Sequence, residues 1–145
     1  MSQPKKLHLT WTGNNWDYNV TFPSGREVLM TAPGGSSEKG AGPMEFMLAS
    51  VAGCTGVDML SILQKMREDV QGVDVEITGV RADDYPMVYT DVHLAYTVTG
   101  HNVDEKSVQR AIELSMTKYC SASIIFKRAG VKVTTEYHIV ETAPQ

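Results

Sequence analysis

The stretch Pro43–Leu60, PMEFMLASVAGCTGVDML, constrains this chain more than any other. Pro43 suits a first helical position, and the helical reading runs on to about Asp69. Met44, Phe46, Met47, Leu48, Val51, Val57, Met59, Leu60, Ile62 and Leu63 fall on several faces of that helix. A surface helix carries one apolar stripe. A chain of 145 residues, most simply one domain over 1–145, has little interior in which to bury a helix on every side. A second copy would cover it, so the pattern predicts a homodimer with a large interface and most simply a twofold axis. Ser50, Thr55, Asp58 and Ser61 interrupt the apolar run. It therefore falls short of the roughly 18 apolar residues of a spanning helix, and no membrane partner is expected.

The flanking segments read as strands and two further helices. Lys6–Thr12, Trp16–Phe22 and Arg26–Ala32 are short, rich in β-branched and aromatic residues, and separated by the turn sequences GNN and PSG. They predict a three-strand meander. After the long helix, Val73–Asp83 and Met87–Gly100 alternate as long strands around a DDYP turn. Asp104 is placed to cap a helix whose apolar face is Val108, Ala111, Ile112, Ser115 and Met116. The segment SASIIFKRAG predicts a short helix ending at Gly130, and Val131–Glu141 a closing strand. The order β-β-β-α-β-β-α-α-β is an α+β plan: an N-terminal meander, a long central buried helix, and further antiparallel strands and helices.

Composition narrows the function classes. A net charge of −4 offers no basic field for nucleic acid. The N-terminus has no apolar signal core, and two cysteines are few, which together point to the reducing cytoplasm. His8, His93, His101 and His138 have no metal spacing, and there is no CxxC. The loop GGSSEKGAG lacks the GK[ST] ending of a phosphate-binding loop. Asn19 in NVT matches a glycosylation triplet only by chance in a cytoplasmic strand. No cofactor and no metal are expected.

Chemistry centres on Cys54 and Cys120. Each has a plain reading as a small buried hydrophobe and a reactive one, which needs a lowered pKa and access. Cys54 lies about three turns into its helix, too deep for the N-terminal dipole, with Ser50, Thr55 and Asp58 as polar neighbours. Cys120 precedes a new helix, whose start favours a thiolate, and Lys118 and Lys127 are near it in sequence. If the two thiols meet, one can attack a peroxide oxygen and the other can condense with the resulting sulfenic acid. An arginine would hold the thiolate and a carboxylate would orient it. The candidates are Arg26 and Glu45, with Glu38 or Lys39 as further possibilities. Glu45 precedes Cys54 by nine residues, about 180° around the helix and about 13 Å along it. It can serve only a site across a subunit boundary, or act simply as a helix-start carboxylate.

The segments EKGAGPMEFMLASVAGCTGVDMLSILQK and IELSMTKYCSASIIF together resemble the OsmC/Ohr family, the osmotically inducible and organic hydroperoxide resistance proteins, and within it the YhfA-like branch. The resemblance covers nearly the whole chain. It implies an intertwined homodimer with sites at the interface and no metal or flavin. Cys54 maps onto the family's peroxidatic cysteine and Cys120 onto its resolving one. The implied activity is thiol-dependent reduction of organic hydroperoxides, with a dithiol such as a lipoylated protein as reductant. Three positions depart from the family pattern. Met44 stands where the peroxidase branches place a glutamate, which follows here as Glu45. No arginine precedes the helix except Arg26. Ser121 replaces the proline after the second cysteine. The alternative these departures suggest is a dimeric redox-sensing or hydrophobic-ligand-binding protein with little turnover.

Overall fold

The computed structural model describes residues 2–32 and 40–145. Glu38, Lys39 and most of the glycine loop fall outside them. The chain divides into two compact units, Met1–Met47 and Leu48–Gln145.

In the N-terminal unit, β1 (His8–Trp11), β2 (Tyr18–Thr21) and β3 (Glu27–Met30) form the expected meander. Both pairings are antiparallel, with Leu9 opposite Val20 and Val20 opposite Val28. The GNN and PSG turns supply residues at positive φ: Gly13 and Asn15 in the first, Gly25 in the second. Thr31 Oγ1 donates to Asp17 Oδ1 at 2.8 Å, tying the strand end to the first turn.

In the larger unit, β4 (Asp69–Arg81), β5 (Tyr89–His101) and β6 (Lys132–Glu141) form one sheet with β5 in the middle. Tyr89, Val92, Leu94, Tyr96 and Val98 are buried, and from Val92 onward they alternate, as a half-covered strand demands. β4 and β5 are antiparallel, but β5 and β6 are parallel, which corrects the expectation of antiparallel strands throughout. Between them lie α2 (Glu105–Leu114), a π-helical turn (Ser115–Tyr119) and α3 (Ser121–Arg128). A crossover of that length permits parallel return, whereas a short turn would not.

The long helix, α1 (Pro43–Lys65), begins in the first unit and runs mostly through the second. It ends four residues before the expected limit, because Arg67 takes a left-handed φ of 62° and β4 already starts at Asp69. A side chain added at Gly56 would touch Val75 at 3.6 Å, so α1 lies against the β4–β5 face. In the single chain only Val51, Thr55, Met59 and Leu63, an i, i+4 stripe, are buried. Val57 remains 69% exposed and Leu60 41%. Within one copy the helix is thus buried on one face.

An 18-residue window of α1 has a mean hydropathy of 1.7, enough in length and composition to cross a bilayer. Counting uninterrupted apolar residues missed this, because the polar residues are few enough to be averaged out. Two of those polar residues are engaged inside the protein: Thr55 bonds Tyr96 and Ser115, and Asp58 bonds Ser115.

Candidate active site

Cys54 sits half-buried in the middle of α1, and Cys120 is fully buried between the π turn and α3; both thiols are free. Cys54 lies near enough to act on the Cys120 thiol. This proximity arises from two local structures. Cys54 follows Val51 by three residues on α1, and Val51 O lies 4.0 Å from Cys120 Sγ as an acceptor. Cys120 is placed by the π turn: its N–H donates to Ser115 O at 2.8 Å, five residues back. A π turn is an α-helix with one residue too many, and such turns occur often at functional sites.

Cys120 caps α3, its sulfur accepting from Ser123 N at 3.4 Å, while Ser123 Oγ donates to Cys120 O at 3.1 Å. The cap position matches the sequence reading, but its electrostatic consequence does not. Burial pushes the Cys120 thiol above its ordinary pKa, the Ser123 contacts pull it down by less, and neighbouring Cys54 pushes it up again. Desolvation of the charged form outweighs the helix start. The protonated form of Cys120 is therefore favoured, with Val51 O as the acceptor of its S–H.

The lysines near Cys120 are engaged elsewhere. Lys127 Nζ donates to Met116 O at 2.8 Å, closing the π turn, and Lys118 lies over the Tyr119 ring at 5.2 Å. Arg26 is exposed in the β2–β3 turn of the N-terminal unit, where its carbonyl accepts from Phe22 N at 2.9 Å. Glu45 belongs to the same unit, and its Oε1 accepts from Gly42 N at 2.8 Å. That is half of a capping box, a carboxylate three residues in reaching back to the helix start.

In the sequence Thr55 stands beside Cys54 and Ser115 on the apolar face predicted for α2, but neither has a partner assigned there, and Tyr96 is not singled out. Tyr96, Thr55 and Ser115 are almost completely buried and joined by hydrogen bonds, Tyr96 Oη to Thr55 Oγ1 at 2.7 Å and Thr55 Oγ1 to Ser115 Oγ at 2.8 Å. Ser115 Oγ donates to Asp58 Oδ2 at 2.8 Å. Burial, partly offset by the Thr55 bond, pushes the Tyr96 phenol up to about 12, and Cys120 and Asp58 add to the rise. A signal was available: Ser115 interrupts an otherwise apolar stripe, and a buried hydroxyl needs a partner. Among the described residues no cluster of His, Cys, Asp or Glu could hold a metal ion.

The family described as OsmC-like protein matches residues 34–136. The chain belongs to the OsmC family. It is 37% identical to Protein YhfA of Escherichia coli (strain K12) over 129 residues, covering 86% of this chain and 94% of that one. A hypothetical protein from Aquifex aeolicus VF5 superposes with a TM-score of 0.80 at 27% identity, covering 97% of this chain and all of the other. The organic hydroperoxide resistance protein OhrB of Bacillus subtilis shares the fold alone, with a TM-score of 0.64 at 14% identity over 94% of this chain and 98% of its own.

Proposed function

We propose that this OsmC-family chain reduces organic hydroperoxides with its cysteine pair. The observation that carries the reading is the proximity of half-buried Cys54 to buried Cys120, whose thiol pKa burial and Cys54 push up. The Cys54 thiolate attacks the terminal peroxide oxygen; the O–O bond breaks, the alcohol leaves with a proton, and Cys54 becomes a sulfenic acid. Cys120 then attacks that sulfur. An S–S bond forms, the S–O bond breaks, and the hydroxyl leaves as water with the thiol proton. A dithiol returns the pair to the reduced state by exchange. The resistance function in the name of the Bacillus subtilis relative fits this sequence of steps. The test is hydroperoxide consumption with excess dithiol. Wild type is expected to turn over and Cys54→Ser to fall to background; equal rates would refute the reading. Arg26→Ala in the same assay decides whether that arginine contributes.

The reading includes a homodimer in the cytoplasm. A groove of about 540 Å³ between α1 and β4, lined by Gly53, Gly56, Val57, Leu60 and Val73 among others, supports it. Light scattering should give twice the chain mass of 15.9 kDa; a single-chain mass at micromolar concentration would remove the dimer. A second reading, a ligand-binding protein of low turnover, is supported by a cavity of about 320 Å³ where Ile62, Met66, Leu114 and Tyr119 meet Asp58 and Lys65. It predicts no peroxide consumption in wild type and undiminished thermal stabilisation of Cys54→Ser by apolar ligands.

A further inference from the structure

The hydroxyls beside the cysteines form an ordered chain that the steps above leave unused. Ser115 Oγ donates to Asp58 Oδ2 at 2.8 Å. A serine hydroxyl has one proton, so in its 2.8 Å bond with Thr55 it must accept and Thr55 must donate. The Thr55 proton is then committed, so in the 2.7 Å bond between Thr55 and Tyr96 the phenol donates. Donation therefore runs one way, from Tyr96 through Thr55 and Ser115 to the Asp58 carboxylate, which only accepts.

This chain links three elements at the level of the thiols. Thr55 follows Cys54 directly on α1, Tyr96 stands on β5, and Ser115 opens the π turn. Ser115 serves twice. Its hydroxyl grips α1 through Thr55 and Asp58, and its carbonyl accepts the Cys120 N–H at 2.8 Å. One residue thus couples the helix carrying Cys54 to the backbone carrying Cys120. Without the grip, the π turn is free to relax toward α geometry, where each residue of slip rotates a side chain by about 100°.

We propose that Ser115, held by Thr55 and Asp58, is a positioning residue that presents Cys120 to Cys54 for disulfide formation. The proposal deepens the cysteine-pair reading and rests on it for its biological purpose. Disulfides have narrow geometry, so the grip raises the effective concentration of one thiol at the other. Oxidation of the pair removes two electrons and two protons and forms one S–S bond; the opposite change in the partner is reduction of a cyclic disulfide to dithiothreitol.

The test is the equilibrium of the Cys54–Cys120 pair in the full chain against mixtures of oxidised and reduced dithiothreitol, read by alkylation and mass. It requires no hydroperoxide. Ser115→Ala and Thr55→Val should move the equilibrium toward the dithiol by at least about tenfold, about 30 mV for a two-electron couple. Thr55→Ser, which keeps the hydroxyl, should stay within about twofold of wild type on that same scale. Circular dichroism identifies any variant that fails to fold, and the Thr55 pair then carries the test. Wild-type equilibria in Thr55→Val would overturn the proposal. So would a Thr55→Ser shift as large as that of Thr55→Val, or a wild type that forms no Cys54–Cys120 disulfide. If the expected shifts appear but wild type consumes no hydroperoxide, only the peroxidase reading falls.

Discussion

The one-way hydroxyl chain makes an unequal prediction for its two upper members. Thr55→Val keeps the side-chain shape but removes the acceptor of the Tyr96 proton. Tyr96 is 1% exposed, so its O–H has neither protein nor water to bond. An orphaned buried donor costs about 1–3 kcal/mol. Ser115 loses only an incoming proton and still donates to Asp58, which adds about 1 kcal/mol for the lost bond. The total is about 2–4 kcal/mol on these figures. Tyr96→Phe instead removes the proton at the head of the chain. Thr55 still donates to Ser115, and the cost is about 1 kcal/mol, that of one hydrogen bond. The double variant has no orphaned donor and should be no less stable than Thr55→Val alone, a strongly non-additive cycle. Urea unfolding followed by circular dichroism, at fixed protein concentration, measures all four proteins. In thermal melts Thr55→Val should lose roughly 4–16 °C for a chain of this size. A Tyr96→Phe cost equal to or above that of Thr55→Val, or additive costs, would show that donation does not run in this direction.

Two further outcomes follow from the same structure. Burial and neighbouring Cys54 hold the Cys120 thiol above its ordinary pKa; the folded state therefore favours the protonated form. That stabilisation is fully present below the ordinary thiol value of about 8.5 and is lost as pH rises through the raised folded value. Alkylation of Cys120 against pH should have its midpoint above that of a free thiol. In Cys54→Ser it should move down without reaching the free value, because burial is the larger cause; a midpoint at the free-thiol value in wild type would contradict the packing. Separately, a methyl at Gly100 would lie 2.3 Å from Asp69 O, whereas at Gly79 it meets side chains, Tyr89 at 2.6 Å and Leu48 at 2.9 Å. Backbone yields less than side chains, so Gly100→Ala should cost about 3 kcal/mol or more and Gly79→Ala less; the reverse order in urea unfolding would refute this.

Period and punctuation in the sequence were enough for the element order. Turn residues separated the meander, Asp104 capped α2 through Lys106 N at 2.9 Å, and the buried face of α2 and its π turn is the predicted set of Val108, Ala111, Ile112, Ser115 and Met116. These are local effects, settled within a few residues of the chain. Cys54 and Cys120 could be singled out in the same way, through the two segments that carry the family resemblance. Their meeting could not, because 66 positions of chain separate them and only the packing of α1 against the π turn closes that distance. The parallel return of β6, the raised pKa of Cys120 and the role proposed for Ser115 share this origin. Each depends on which groups from distant segments exclude water together, and a hydroxyl or thiol takes its protonation and its partner from that enclosure. The sequence by itself determined the elements and the candidate nucleophiles; the tertiary structure decided which segments pack together, which groups are buried and which hydroxyls bond one another.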